Sequence, residues 1–247
     1  MSWNIAPECV SVVILGIIWM YSRRGRILPT LKDQLFQGCF LVTFCAMTSN
    51  ILSTVMIMHY KTVPLSLIWL VTMVYYLLTP LMGLIYFLYS TSVIYGDKKS
   101  LRKVICFGSI PGIIYILLVL MNPFIKELFD INRTEGYTQG RLVAATYIIF
   151  YIYCVMSVIV VQVNRRQISP QIYRILVSFP LIAVIVIIFQ QFFPSVILSG
   201  SAATSALLII YLHLQNKQIA MDYLTNVPNR FILLNLMSLF YLKCFLY

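Results

Sequence analysis

Seven long apolar runs dominate the sequence and limit the folds that it can adopt. An α-helix needs about 20 apolar residues to cross the hydrocarbon core of a bilayer. The runs occupy residues 5–21, 34–58, 64–95, 104–121, 142–163, 172–189 and 194–215. With 61% hydrophobic and only 10% charged residues, a chain of 247 residues carries more apolar surface than a water-soluble domain can bury. The sequence therefore predicts an all-α integral membrane protein, a bundle of seven transmembrane helices.

The positions of lysine and arginine predict the orientation of this bundle. If the N-terminus lies outside, fourteen of the 18 basic residues fall on the inner side, and four remain outside: Lys61, Lys126, Arg133 and Arg141. Short basic loops are typical of the cytoplasmic side. We therefore expect the N-terminus outside and the C-terminus in the cytoplasm. The net charge of +11 then reflects topology, and no nucleic-acid partner is expected.

The predicted spans contain almost no ionisable residue. Glu8 and His59 fall at the outer ends of spans and His213 at an inner end, and we expect Glu8 to lie near the lipid head groups. Ionisable groups inside a membrane usually mark ion paths or ligand counter-ions. Their scarcity argues against a transporter of protons or charged substrates. The six cysteines show no C-x-x-C spacing, so neither a metal site nor a disulfide is expected.

Uncharged polar and aromatic residues collect in the second, third and sixth spans. Asn50, Tyr75, Tyr76 and Gln190 are the ones that could line a small-ligand pocket opening to the outside. The other interpretation is that these side chains form hydrogen bonds between helices and anchor the protein at the interface. Both interpretations remain open, and no residue indicates which ligand such a pocket would take.

The seventh span is predicted to continue beyond the membrane as a helix. No Gly or Pro occurs between Leu207 and Leu224, and apolar residues recur there at intervals of three and four. This spacing is typical of a short parallel coiled coil. It predicts a homodimer formed through the seventh helix and the linker that follows it.

The linker ends in the segment DYLTNVPNR, residues 222–230. Asp222, Leu224, Thr225, Asn229 and Arg230 match the pattern D-x-L-T-G-L-x-N-R, which opens the GGDEF domain of bacterial diguanylate cyclases. The chain thus resembles membrane-bound members of that family. The resemblance implies a wide turn at these residues, between the signalling helix and a catalytic domain. It also implies that the full-length protein condenses two GTP molecules into cyclic di-GMP with Mg²⁺.

The catalytic part of that family is missing from these 247 residues. No Gly-Gly-acidic-Glu-Phe sequence occurs, and no aspartate follows Asp222 to hold a metal. We therefore expect a sensor module at 1–215 and a signalling-helix linker with the start of a GGDEF domain at 216–230. Residues 231–247 are expected to be an apolar tail, from truncation or a frameshift, or else a natural end lying along the membrane. This chain alone is predicted to be catalytically inactive, with no catalytic residue, metal ligand or cofactor.

The function predicted from these features is that of a membrane sensory module of a diguanylate cyclase in a bacterial inner membrane. Its expected partners are the lipid bilayer, an unknown small ligand and a second copy of the chain. Two alternatives remain. One is a transporter of small uncharged solutes with an incidental polar tail. The other is the sensor of a histidine kinase, against which the absence of a His–Glu phosphoacceptor helix after the seventh span argues.

Overall fold

The computed structural model describes residues 3–22, 31–95, 98–193 and 197–220. The chain divides into two compact units, Met1–Leu207 and Leu208–Tyr247. The first unit contains six complete helices, a β-hairpin and the beginning of a seventh helix. In the second unit the described residues are 208–220, which form the end of that seventh helix.

Seven α-helices make up most of the described chain. They are α1 (Ala6–Ser22), α2 (Leu31–Met58), α3 (Leu65–Ile94), α4 (Lys98–Ile125), α5 (Ala144–Val163), α6 (Pro170–Phe192) and α7 (Ser199–Ala220). Within the described residues, the five helices α2 to α6 are long and apolar enough to cross a membrane, whereas α1 is apolar but has 17 residues. The predicted number of helices is therefore present. The helical class is confirmed, and the span count and orientation stay predictions.

Hydrogen bonds between neighbouring helices show that α1, α2 and α3 alternate in direction. At one end of the first unit, Gln37 near the start of α2 donates to the Ser22 hydroxyl at the end of α1, at 2.9 Å. At the other end, the hydroxyls of Ser53 late in α2 and Thr72 early in α3 are 2.8 Å apart. We call this second end the hairpin end, because the β-hairpin between α4 and α5 also lies there.

The outer faces of the helices are largely apolar, and the buried faces carry polar as well as apolar residues. On α1 the buried positions recur at intervals of three and four and include three polar residues: Glu8, Ser11, Leu15, Ile18 and Ser22. The outward positions are apolar, and Val10, Val13 and Met20 are each about 60% exposed. An apolar outer surface of this extent is typical of helices that face lipid. The fold is that of a membrane-embedded protein.

Two short strands form a β-hairpin between α4 and α5. β1 (Phe129–Asn132) pairs antiparallel with β2 (Gly136–Gln139). The Asn132 side-chain oxygen accepts the backbone N–H groups of Thr134 and Glu135, and Gly136 has a φ of +77°. Asparagine and glycine are the residues that favour such a turn. The all-α prediction omitted this hairpin because its alternation spans only four residues a strand.

The hairpin is packed tightly onto the helices. Phe129 and Ile131 are buried, and the Trp69 indole N–H on α3 donates to the Ile131 carbonyl at 3.1 Å. At the base of the hairpin, the buried Asn122 on α4 accepts from Leu128 N–H at 2.9 Å and donates to the Phe129 carbonyl at 3.0 Å. The hairpin is therefore a fixed part of the first unit and forms one of its walls.

Candidate functional site

The four residues predicted to line a ligand pocket lie together at the hairpin end. Asn50 of α2, Tyr75 and Tyr76 of α3 and Gln190 of α6 all line one partly open cavity of about 290 Å³. This volume is close to the lower end of the roughly 300–1,000 Å³ found for small-molecule sites. The structure thus brings all four side chains to a single cavity. Its occupation by a ligand stays a prediction.

Part of the remaining wall comes from segments that sequence analysis did not single out. Tyr137 and Gln139 of β2, Tyr147 of α5 and Trp3 ahead of α1 line the same cavity. Hydroxyl groups are added by Ser53, Thr54 and Thr72. Trp3 and Tyr137, whose rings are in contact, are more than a hundred positions apart in the sequence, and no local periodicity records such a contact. For Tyr137 and Tyr147, only the local richness in tyrosine could have drawn attention to this part of the sequence.

All the described side chains that line the cavity are uncharged. Amides, phenols and hydroxyls are combined with the apolar Ile57, Val143 and Ile197, and no Lys, Arg, His, Asp or Glu is included. The wall can therefore donate and accept hydrogen bonds and can present aromatic faces to a ligand. It offers no side chain for a direct ion pair.

Tyr76 and Tyr137 join the hairpin to the helical wall. Their hydroxyl groups share a hydrogen bond of 2.8 Å, and the Tyr76 ring stacks on Phe129 with centroids 4.9 Å apart. Burial raises the pKa of Tyr137 above its usual value, although the hydrogen bond with Tyr76 opposes this. The Tyr137 hydroxyl is therefore protonated at neutral pH and available as a donor.

A second, smaller cavity of about 50 Å³ adjoins the first. The two share Tyr75, Tyr76, Val143, Tyr147 and Gln190 in their walls. The smaller cavity is otherwise lined by residues of α2, α3, α5, α6 and α7, most of which are apolar or aromatic. A volume this small accommodates no more than a few water-sized groups. The larger cavity is accordingly the candidate ligand site.

Glu8, which was expected near the lipid head groups, is buried inside the first unit. Its side chain is 1% exposed, and its Oε1 atom accepts three hydrogen bonds. The donors are Asn50 Nδ2 at 3.3 Å, the Ser199 hydroxyl at 3.1 Å and the Gly200 backbone N–H at 3.0 Å. Oε2 has no hydrogen-bond partner among the described residues. The sequence did not reveal this burial, because position near a helix end does not show which face of the helix is buried.

Gly200 permits the close approach of α7 to α1 and α2. A Cβ atom at this position would collide with Glu8 Oε2 and with the Met47 side chain. Next to it, the hydroxyls of Ser201 and Ser11 are 2.9 Å apart, and Ala202 and Ala206 are buried. The small residues at 199–206 thus allow close packing within the first unit, although Ser205 is exposed.

The family motif predicted at the C-terminus lies outside the described residues. Its members are Asp222, Leu224, Thr225, Asn229 and Arg230. Within the described part of the chain, no group of three or more His, Cys, Asp or Glu residues has the geometry of a metal site. Cys39 and Cys154 are buried there, and Cys9, Cys45 and Cys106 are exposed; all five are free thiols.

The fold and the cavity together define a helical, membrane-embedded protein with an uncharged, aromatic-rich cavity at one end. No protein-family model, curated protein or solved structure gives a significant match to the chain. Its function is therefore argued from the cavity, the buried Glu8 and the sequence motif at the C-terminus.

Proposed function

We propose that the protein is a membrane sensor that binds a small molecule in the cavity at the hairpin end and transmits the binding through α7. The output is proposed to be a diguanylate cyclase domain joined through residues 222–230. Mg²⁺ and GTP would be bound by that domain and not by the residues described here. The resemblance of residues 222–230 to the opening of a GGDEF domain supports this choice of output.

The observation that carries the proposal is a chain of hydrogen bonds from the cavity wall to the start of α7. Asn50 lines the cavity and donates to Glu8. Glu8 in turn accepts from Ser199 and Gly200 in the first turn of α7. A ligand that reorients the Asn50 amide therefore changes the partners of the group that holds the beginning of this helix.

The continuity of α7 supplies the remainder of the path. The helix runs without a break from Ser199 to Ala220, two residues before the motif begins. A helix of 22 residues is about 33 Å long, which is sufficient to connect the two faces of a membrane. Two populations of α7 that differ in rotation or position would be shifted by a ligand with unequal affinity for them.

The proposed location is a bacterial inner membrane with the hairpin end outside. The charge distribution supports this orientation. The exposed Arg165 and Arg166 lie at the end opposite the hairpin, and short basic loops are typical of the cytoplasmic side. The cavity would then sample the outside of the cell, and the C-terminal motif would reach the cytoplasm. A homodimer through α7 and the linker is part of the proposal.

The test joins the full chain to a complete diguanylate cyclase domain and measures cyclic di-GMP production in membranes. Val143→Phe places a ring in the cavity, because Val143 lines it, and should change the output at least threefold. Leu142→Phe is the matched control, since Leu142 is the adjacent residue and is 41% exposed. Equal outputs from the two variants and the unmodified chain would contradict the proposal.

A second arm tests the role of α7. A Gly-Gly insertion after Gln215 weakens the helix and changes its phase. The Val143→Phe variant should then give the same output as the unmodified cavity. A seven-residue helical insertion at the same place restores the phase to within about 20° and should preserve the effect. If Gly-Gly leaves the response to Val143→Phe intact, transmission through α7 is ruled out.

A transporter of small uncharged solutes is the second candidate. It is favoured by the contact between the two cavities, which share five wall residues and extend along α3, α5 and α6. In the wall of the smaller cavity, however, Tyr86 stacks on Phe179 and donates to the Leu176 carbonyl, which fills the interior between α3 and α6. Stopped-flow swelling of proteoliposomes in glycerol distinguishes the two, because only a transporter accelerates it above that of empty liposomes.

A further inference from the structure

We propose that the ligand of the larger cavity is a small quaternary ammonium cation, held by the aromatic rings of the wall, with Glu8 as its buried counter-charge. This inference rests on the proposed function, since it names the chemical class of ligand for the same site. It follows from three features of the cavity: its rings, its lack of positive charge and its position beside Glu8.

Aromatic rings form several sides of the cavity. Trp3, Tyr75, Tyr76, Tyr137 and Tyr147 all line it. The Trp3 and Tyr137 rings are inclined at 83°, and the Tyr75 and Tyr76 rings at 67°, so each pair forms a corner and not a flat stack. Rings set at such angles present aromatic surface from more than one direction. The faces carry negative potential and attract a cation within about 6 Å of the ring centroid.

Because no basic residue belongs to the described wall, the cavity favours binding of a cation over binding of an anion. No Lys, Arg or His is among the residues that line the cavity. An anion would have to exchange its hydration for phenol and amide donors while facing the negative faces of the rings. A quaternary ammonium group has no N–H donors to satisfy, and its methyl groups suit an aromatic, partly apolar wall.

The buried carboxylate of Glu8 lies one side chain behind the wall. It contacts the cavity through Asn50, whose amide both lines the cavity and donates to Oε1. The three donors on Oε1 and the amino end of α7 place positive partial charge beside this carboxyl group, and a bound cation would add to it. Because the field of a charge is weakly screened in such surroundings, Glu8 attracts a cation without touching it.

The observed volume sets the size of the cation. About 290 Å³ suits a ligand with one trimethylammonium group and a short polar extension. The amides of Asn50, Gln139 and Gln190 can bind a hydroxyl or carbonyl on that extension. Choline is therefore a suitable probe, and 3,3-dimethylbutan-1-ol is its neutral counterpart, since carbon replaces the nitrogen without changing the shape.

The experiment measures binding of radiolabelled choline to the full chain in nanodiscs by equilibrium dialysis. The affinity of the unlabelled neutral alcohol is measured from its competition with radiolabelled choline. We expect choline to bind at least tenfold more tightly than the alcohol. Glu8→Gln should reduce the affinity for choline at least fivefold while leaving that for the alcohol within twofold. Equal affinities of the two compounds for the unmodified chain, or no choline binding at millimolar concentration, would overturn the inference.

A pair of ring deletions on α5 tests the aromatic contribution even if Glu8→Gln does not fold. Tyr147→Leu removes a ring from the wall and should weaken choline binding at least threefold. Tyr151→Leu removes the same ring one turn further along the helix, outside the cavity, and should leave binding unchanged. Equal effects of the two variants would contradict a role for the rings.

The two proposals fail separately. If Val143→Phe alters cyclic di-GMP output but choline does not bind, the cavity is a sensory site for another class of ligand and the cation inference is wrong. If choline binds with the expected selectivity but Val143→Phe leaves the output unchanged, the cation site stands and the sensory function is wrong.

Discussion

The carboxylate of Glu8 accepts the backbone N–H of Gly200 at 3.0 Å, which fixes the first turn of α1 against the first turn of α7. A hydrogen bond to a charged group contributes about 1.5–3 kcal/mol, and the amino end of a helix favours negative charge. Residues separated by 192 positions are thus joined inside the protein. The contact makes the beginning of α7 sensitive to whatever else Glu8 contacts, and Asn50 in the cavity wall is one such residue.

Gly200→Ala should destabilise the protein. The added methyl group would collide with Glu8 Oε2 and would lie 2.7 Å from Met47 Cγ, so that α7 must move away from α1 and α2. Overpacking of this kind costs about 1–3 kcal/mol. We expect a lower melting temperature in detergent, measured by circular dichroism, and a weaker response in the cyclase fusion.

The control for this substitution is Gly16→Ala on α1. A methyl group at Gly16 meets nothing within 4 Å, so it should be neutral or should stabilise the helix by up to about 1 kcal/mol. If both variants melt at the temperature of the unmodified protein, the close packing described at Gly200 does not contribute to stability.

Asn122→Ala should loosen the hairpin while leaving the helices in place. Asn122 is 1% exposed and bonds both the N–H of Leu128 and the carbonyl of Phe129. Leaving either group unpaired costs about 1–3 kcal/mol. Hydrogen–deuterium exchange at residues 127–140 should therefore accelerate at least tenfold. Ser109→Ala, which removes a hydroxyl bonded only within α4, serves as the control and should not change exchange there.

The stability contributed by Tyr137 should depend on pH only in the alkaline range. Burial raises the pKa of Tyr137 above 10, so its folded form stays protonated at a pH where the unfolded form ionises. The stabilisation contributed by the Tyr137 hydroxyl is therefore fully present below pH 10. Above that value it should fall by about 1.4 kcal/mol per pH unit until the folded pKa is reached.

Comparison with Tyr137→Phe isolates this effect from the titration of other groups. The difference in free energy of unfolding between the two proteins, measured by denaturant titration, should be constant from pH 6 to 9. It should then decline as the pH rises through 10. A difference that already varies between pH 6 and 9 would show that the tyrosine hydroxyl is not the group responsible.

Cysteine labelling should reveal the hairpin on the outside of the cell. In a chain whose six cysteines are replaced by alanine, Thr134→Cys places a thiol at the exposed hairpin turn and Arg166→Cys places one at the opposite end. A membrane-impermeant maleimide should label the first in intact cells and the second only after permeabilisation. The reverse pattern would overturn the proposed orientation and, with it, the cytoplasmic location of residues 222–230.

Much of the helical architecture follows from the sequence. The apolar runs predict the helices because lipid-facing segments must satisfy their backbone groups internally. The start of α6 illustrates the local rules: Ser169 accepts the N–H of Ile172, and Pro170 occupies the first helical position. The predicted run began at residue 172 because proline and polar residues at a helix start do not register as apolar.

The cavity could be predicted only in part. Asn50, Tyr75, Tyr76 and Gln190 were recognisable because polar and aromatic groups inside apolar spans are uncommon. The contributions of Trp3 and Tyr137 were not, since they depend on how the segment before α1 and the hairpin fold over the helices. The burial of Glu8 likewise depends on α7, because Ser199 and Gly200 contact α1 only in the folded protein.

Arg133 at the hairpin turn allows local opening of this turn to be measured by proteolysis. Its guanidinium donates to the carbonyls of Lys61 and Val63, in the connection between α2 and α3. Trypsin must take a free arginine side chain into its specificity pocket, so it competes with these carbonyls for the same group. The rate of cleavage after Arg133 therefore measures how often its guanidinium leaves these carbonyls, and a ligand that contacts Tyr137 or Gln139 of β2 should slow the digestion.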